Sequence, residues 1–295
     1  MQFSVPMPSL AAVGEKSFSL PSKDKGVLPS IQDIIIIGTG NAAHVLGRLL
    51  VREGYKVVQV FGRRADAAAA LAMELQADAV TEPQLLSASA QLCIVAVSDS
   101  ALQQIGSWLP PLHCPVAHTA GSLSADLLKP LNPQTGVFYP LQTLRANDPH
   151  IPRIPFLVEA SGKELEGALL ALGHRLSGMS MVMNGENRRR MHLAAVTTQN
   201  FFNHLCALSF QFLHRHQLDP QLLMPLLDET LRRMQWIDPA QMQTGPAIRG
   251  DSATVAIHED MLAHDPLLQK LYPLISESIR LFHQIQPDPG SDAVS

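Results

Sequence analysis

The stretch MHLAAVTTQNFF, residues 191–202, sets His192, Gln199 and Asn200 among alanines, aromatics and aliphatics, and Asn203 follows directly. An imidazole can give or take a proton near neutrality, while a carboxamide donates and accepts at once and so can orient a carbonyl or a hydroxyl. A buried polar group without a partner costs about 1–3 kcal/mol, so such a row needs partners, in the core or on a ligand. On a helix of about 3.6 residues per turn, His192, Gln199 and Asn203 fall within about 20° of one another, and Asn200 lies roughly 80° round from His192. The chemistry to expect is acid–base. His192 would exchange a proton with a substrate oxygen and Asn200 would orient and polarise it, with Gln199 and Asn203 lining the same cleft.

A second group could hold phosphates. IIIIGTGNAAHVLGRLL supplies Gly38-x-Gly40-x-x-Ala43 directly after an apolar run and at the start of a helical pattern. Gly38 allows the tight turn, Gly40 lets a pyrophosphate approach the backbone, and Ala43 permits close packing of helix on sheet. Gly38, Thr39, Gly40, Asn41, Ala42 and Ala43 are therefore the expected cofactor cradle. At the end of the next run, KVVQVFGRR has no acidic residue to bind a ribose 2′-hydroxyl. Arg63 and Arg64 stand there instead, and two guanidinium groups suit a 2′-phosphate, which favours NADP(H) over NAD(H). Asp66 comes too late for the ribose and is expected to cap the next helix. The competing readings are a glycine turn that binds nothing and arginines that are merely solvated.

VAVSDSAL and VAHTAGSL end two further apolar runs in small and polar residues. The carboxyl ends of strands are where an open α/β sheet places its ligand crevice. Val97, Ser98 and Asp99 are expected beside the nucleotide, and His118 and Ser122 nearer the reacting end. Asp99 could instead be a helix N-cap, and His118 a satisfied core histidine. Further on, in TGPAIRGDSATVAIH, Asp251 or Ser252 caps a helix, and Arg249, with Asp251 beside it, is a candidate clamp for a substrate carboxylate. An Arg249–Asp251 ion pair that only fixes the loop is the competing reading. His258 falls on the same side of that helix as Asp251. No G-x-S-x-G elbow, Walker loop, His-Glu-x-x-His or paired Cys-x-x-Cys occurs, and no metal site is expected.

The elements that must position these residues follow from the hydrophobic pattern. DIIIIG, YKVVQVFG, QLCIVAVS, CPVAHTA, GVFYP and PFLVEA read as strands, separated by helical segments at 41–52, 65–75, about 100–108 and 123–129. Continuous apolar strands alternating with helices indicate an α/β, doubly wound, Rossmann-like parallel sheet covered on both faces. From about residue 162 the pattern is all helical: 164–172, 186–216, 219–235, 252–263 and 266–284, with a kink or break expected at Pro273. The expected organisation is an arm at 1–30, a dinucleotide-binding domain at 31–160 and a helical substrate and dimerisation domain at 161–295. With 295 residues, 46% hydrophobic and 16% charged, the chain can bury a large core. A net charge of −4 without a basic block argues against nucleic acid and anionic membranes, which leaves a small molecule as the expected partner. Cys93, Cys114 and Cys206 suit buried reduced thiols in a cytoplasmic protein, and no apolar run approaches the ~20 residues of a membrane span.

IIGTGNAAHVL, HTAGSL, GVFYPLQTL, MHLAAVTTQNFF and TGPAIRGDSATVAIH together resemble a family that joins a Rossmann-like domain to a helical domain of unknown function 2520. More distantly, the chain is similar to ketopantoate reductase, pyrroline-5-carboxylate reductase and the β-hydroxyacid dehydrogenases. That resemblance implies a helical domain of the 6-phosphogluconate dehydrogenase C-terminal type, a nicotinamide across the switch point of the sheet, a substrate between it and the helices, and a homodimer. Many of those dehydrogenases carry a catalytic Lys, with an Asn further along the first long helix. Here no Lys occurs over 186–216, and the resemblance puts His192 in that place with Asn200 as the amide. The reaction implied is hydride transfer to or from a small carbonyl, imine or alcohol. A non-catalytic NADP(H) sensor or partner-binding protein is the rival expectation.

Overall fold

The computed structural model describes residues 31–285. The expected arm at 1–30 lies outside them. Two compact units divide the chain between Thr198 and Gln199.

The first unit is an eight-stranded sheet in the order β3-β2-β1-β4-β5-β6-β7-β8. Its elements run β1 (Asp33–Ile37), α1 (Asn41–Arg52), β2 (Lys56–Phe61), α2 (Ala65–Leu75), β3 (Asp78–Val80), β4 (Leu92–Val95), α3 (Asp99–Gln103), α4 (Ile105–Trp108), β5 (Val116–His118), β6 (Thr135–Pro140), β7 (Phe156–Ala160), α5 (Lys163–Ser177), β8 (Ser180–Val182) and α6 (Gly185–Ala195). The order reverses between β1 and β4, which is the switch point of a doubly wound fold. Successive side chains of a strand point to opposite faces, and the isoleucines of β1 divide accordingly. Ile34 and Ile36 join α1, α2 and α5 residues in one core, and Ile35 and Ile37 join Leu102, Ile105 and Leu128 in the other. Burying each isoleucine contributes about 1.5–3 kcal/mol. Register fixes the site edge: Ile37 lies beside Val95, Val95 beside His118, and His118 beside Val137.

The sheet is not wholly parallel. β7 runs antiparallel to β6, and β8 parallel to β7. The linking segment LQTLRANDPHIPRIP carries three prolines and forms no crossover helix, so the chain returns on the neighbouring strand. The compact unit also extends beyond residue 160. Leu165, Leu169, Leu172 and Leu176 form one apolar stripe of α5 and are buried in the first sheet core, and β8 adds a further strand.

Beyond α6, Val196–Phe201 forms a π-helical turn, followed by α7 (Phe202–Arg215), α8 (Met224–Arg233), α9 (Pro239–Met242), α10 (Pro246–Arg249), α11 (Ser252–Met261) and α12 (Pro266–Ile285). Pro273 sits inside α12 without breaking it. Among the described residues after Thr198, only Leu208 and Leu262 are buried hydrophobics, while Leu222, Trp236 and Leu274 are 77%, 75% and 67% exposed. No described helix is long and apolar enough to cross a membrane. Cys93 and Cys114 are buried, whereas Cys206 is half-buried. Burial pushes the Cys93 thiol up, with Cys114 adding to it, and pushes Cys114 to about 11.

Candidate active site

The glycine turn between β1 and α1 opens on a cavity of about 410 Å³ at the carboxyl edge of the sheet. Gly38 has φ +119°, and a Cβ there would stand 2.1 Å from the Ala96 carbonyl oxygen of the neighbouring strand connection. Only glycine meets both conditions, a left-handed φ and contact with backbone. At Gly40, by contrast, an added Cβ meets nothing within 4 Å, so the turn is open on that side. Gly40 is the N-cap of α1 and no side chain caps the helix, which leaves its first N–H groups to a ligand. Thr39, Gly40, Asn41, Ala42, Arg63, Arg64, Val97 and Ser98 line the same cavity as Gly38, and Phe61 and Trp108 stack at its wall with centroids 6.0 Å apart. Ala43 is buried beneath it, where its small size lets α1 pack on the sheet. These residues fit a dinucleotide.

The polar residues around the cavity depart from the expectations in instructive ways. Asp66 does not cap α2; it accepts from Arg64 Nε and Nη2 at 3.3 and 3.0 Å, and that hydrogen bond lowers its pKa. Arg64 therefore arrives already paired, while Arg63 has no ion-pair partner among the described residues. Ser98, not Asp99, caps α3, accepting from Ala101 N. Asp99 accepts instead from Ser122 Oγ at 3.0 Å, joining the β4 and β5 loops. The Asn41 side chain is engaged with the loop after β6, accepting from Ala146 N at 2.9 Å.

Farther along the same edge, the structure brings together residues that the sequence separates widely. Tyr139 Oη lies 2.9 Å from His192 Nδ1, joining the carboxyl end of β6 to α6. Gly121 underlies the pair: a Cβ there would come within 2.7 Å of both His192 Nδ1 and Tyr139 Cζ. Burial raises the Tyr139 pKa, and Arg188 opposes the rise. Arg188 is wholly buried one turn before His192, 3.1 Å from Glu159 Oε2 and donating to the Leu123 carbonyl at 2.6 Å. Tyr139 and Arg188 escaped the sequence reading. Tyr139 was a tyrosine at a strand terminus, and Arg188 was hidden in a run of three arginines four residues before His192, the spacing that puts two side chains on one helical face.

His118 is fully buried, and its Nδ1 accepts from Ala120 N at 3.1 Å, which shapes the loop carrying Gly121. Burial pushes its pKa down to about 4; the Ser124 backbone and Asp99 oppose this and Arg188 reinforces it. An unfolded histidine protonates near 6.5. Between that pH and about 4 the unfolded chain binds the extra proton, so stability should fall as pH drops through this window. Urea midpoints across the window should show a smaller decline in His118→Asn, whose carbonyl can still accept from Ala120 N.

Gln199, Asn200, Asn203, Arg249 and Asp251 all belong to the second unit. Gln199 and Asn200 lie in the π-helical turn, and Asn203 opens α7; all three are exposed. The wheel that aligned His192 with Gln199 and Asn203 presumed a regular α-helix, and the wider turn over Val196–Phe201 invalidates its angular offsets. Thr197 and Thr198 donate to the Ala194 carbonyl within this turn, each at 2.8 Å. Asp251 caps α11 as expected, with Oδ1 accepting from Thr254 N and Oδ2 from Thr254 Oγ1. Both oxygens are thus in use, and the backbone hydrogen bond from Thr254 is the main influence lowering its pKa. Arg249 is exposed and has no ion-pair partner among the described residues, so the loop-fixing pair with Asp251 does not form. His258 Nδ1 pairs with Tyr272 Oη at 2.6 Å.

Comparison with known proteins places these features. Residues 33–112 match the family described as NADP oxidoreductase coenzyme F420-dependent, and residues 154–279 match the domain of unknown function 2520. A solved Bacteroides fragilis protein, described as a "putative NADP oxidoreductase", is 37% identical with a TM-score of 0.78, the match covering 85% of this chain and 99% of that one. A Thermotoga maritima protein is 22% identical with a TM-score of 0.61, over 85% of this chain and 98% of its own. A reductive aminase from Aspergillus terreus, solved with NADPH and ethyl-5-oxohexanoate, is 14% identical with a TM-score of 0.61, over 85% of this chain and 94% of its own. These last two share the fold. No curated protein matches the chain.

Proposed function

The chain belongs to the family of the Bacteroides fragilis protein, and from that premise we propose that it is an NADP(H)-dependent oxidoreductase acting on a small carbonyl, imine or alcohol. Gly38, Thr39, Gly40 and Ala42 would hold the pyrophosphate, with Ser98 beside them, and Arg63 and Arg64 the 2′-phosphate. The coenzyme, when bound, supplies or accepts a hydride. Everything else falls to the chain. Tyr139 and His192 share a proton and pass it to, or take it from, the substrate oxygen or nitrogen. His118 sets the loop and Gly121 supports the pair, while Ser122 is held by Asp99.

One observation carries this reading: the Tyr139–His192 hydrogen bond lies on the sheet edge that also bears the glycine turn. Calorimetry with NADPH and NADH, followed by a carbonyl, imine and alcohol panel read by nicotinamide absorbance, tests it. Turnover of any panel member supports the enzyme. Tight NADPH binding with no redox change across the panel would favour the sensor reading, for which the missing Lys in α6 and α7 speaks.

Arg63 should dominate the choice of coenzyme, because Arg64 must first leave Asp66. Arg63→Ala is expected to weaken NADPH binding by about 10-fold or more, and Arg64→Ala by less, with NADH binding unchanged in both; equal losses would contradict this order. The apolar surface after Thr198 is best covered by a second copy of the chain, since monomers rarely expose so much. Light scattering should give twice the chain mass.

A further inference from the structure

We propose that Arg188 is the positioning residue of the Tyr139–His192 pair, tying α6 to the β5 loop and to β7 and keeping a buried cation one helical turn from His192. The proposal rests on the reading of that pair as the proton-handling group. Three observations carry it. Arg188 is 0% exposed, on the face of α6 that also presents His192. Its Nη2 reaches two different elements, the Leu123 carbonyl at 2.6 Å and Glu159 Oε2 at 3.1 Å. Leu123 stands two residues after Gly121, whose backbone packs on both members of the pair, so the guanidinium fixes the floor on which the two rings meet.

The guanidinium is also left short of partners. Arg188 Nε and Nη1 are buried and find no hydrogen-bond partner among the described residues. Burying a guanidinium with part of its hydrogen-bonding capacity unmet is unfavourable for folding alone, so packing does not explain the residue. A charge kept in a low-dielectric surrounding acts strongly on nearby ionisable groups. Arg188 interacts electrostatically with Tyr139, His118, Glu159 and Arg189, and Asp99 acts on His118 from α3. On Tyr139 its effect is to favour the ionised phenol, against the burial that disfavours it. The cation thereby eases release of the Tyr139 proton toward His192 or the substrate.

The test uses the full chain and the variants Arg188→Met and Arg188→Lys. The chain has only three tyrosines, so the tyrosinate absorbance that disappears in Tyr139→Phe belongs to Tyr139. In Arg188→Met that component should move to higher pH, and in Arg188→Lys, which keeps the charge, it should stay near its original position. This measurement needs no substrate, so it decides the role of Arg188 even if no panel compound is turned over. With a substrate in hand, Arg188→Met should lower kcat by roughly 10–100-fold, move the basic limb of the pH profile upward and leave NADPH affinity unchanged, because Arg188 does not line the nucleotide cavity. Arg188→Lys should restore part of kcat. An unmoved Tyr139 titration in a folded Arg188→Met would overturn the proposal. So would a loss of activity that merely follows the folded fraction seen by circular dichroism.

Discussion

His192→Ala is expected to lower turnover by about 10²–10⁴-fold while leaving NADPH affinity within about twofold of the parent, the range for loss of a positioned acid or base. The structure separates the two effects because His192 lies outside the lining of the nucleotide cavity. Tyr139→Phe should fall in the same range, since it removes the hydroxyl that meets His192 Nδ1 and leaves the ring. The double variant should be little worse than the poorer single one, as happens when two groups act as a unit. Additive losses would mean that the two side chains act separately, and full activity in His192→Ala would remove the imidazole from the mechanism.

Gly38→Ala carries the second large effect, on the coenzyme rather than on the proton. The substitution demands a positive φ of an L residue, costing about 1–3 kcal/mol, and drives a methyl into the Ala96 carbonyl oxygen. Relieving that overlap means parting the β1 turn from the end of β4, which should add a similar amount. NADPH binding should become undetectable by calorimetry, and the urea midpoint should fall. Gly40→Ala is the informative control. Its methyl would enter open space, so stability should hold while NADPH binding weakens, because that space is where the pyrophosphate would approach. NADPH affinity near the parent value in Gly38→Ala would show that the turn is not the coenzyme cradle.

Much of the sheet could be read from the chain, because period and punctuation are local signals. The four isoleucines of β1, the glycine turn and the boundaries of α1 and α2 all lie where the pattern puts them. β3 and β8 were missed because three-residue strands such as DAV and SMV, largely exposed, have no periodicity to detect. The antiparallel return of β7 depended on recognising that a proline-laden segment cannot make a crossover helix. The π-helical turn defeated the helical wheel, which presumes one period throughout. The Tyr139–His192 pair was out of reach for a different reason: 53 residues separate its members, and only sheet register and the packing of α6 bring them together.

The glycine turn, the arginines beside it and the Tyr139–His192 pair all lie before Gln199, on one continuous stretch of chain that forms one compact body. Replacement or remodelling of the later helices over generations would therefore leave the glycine turn and the tyrosine–histidine pairing in place, because neither draws a residue from beyond Thr198.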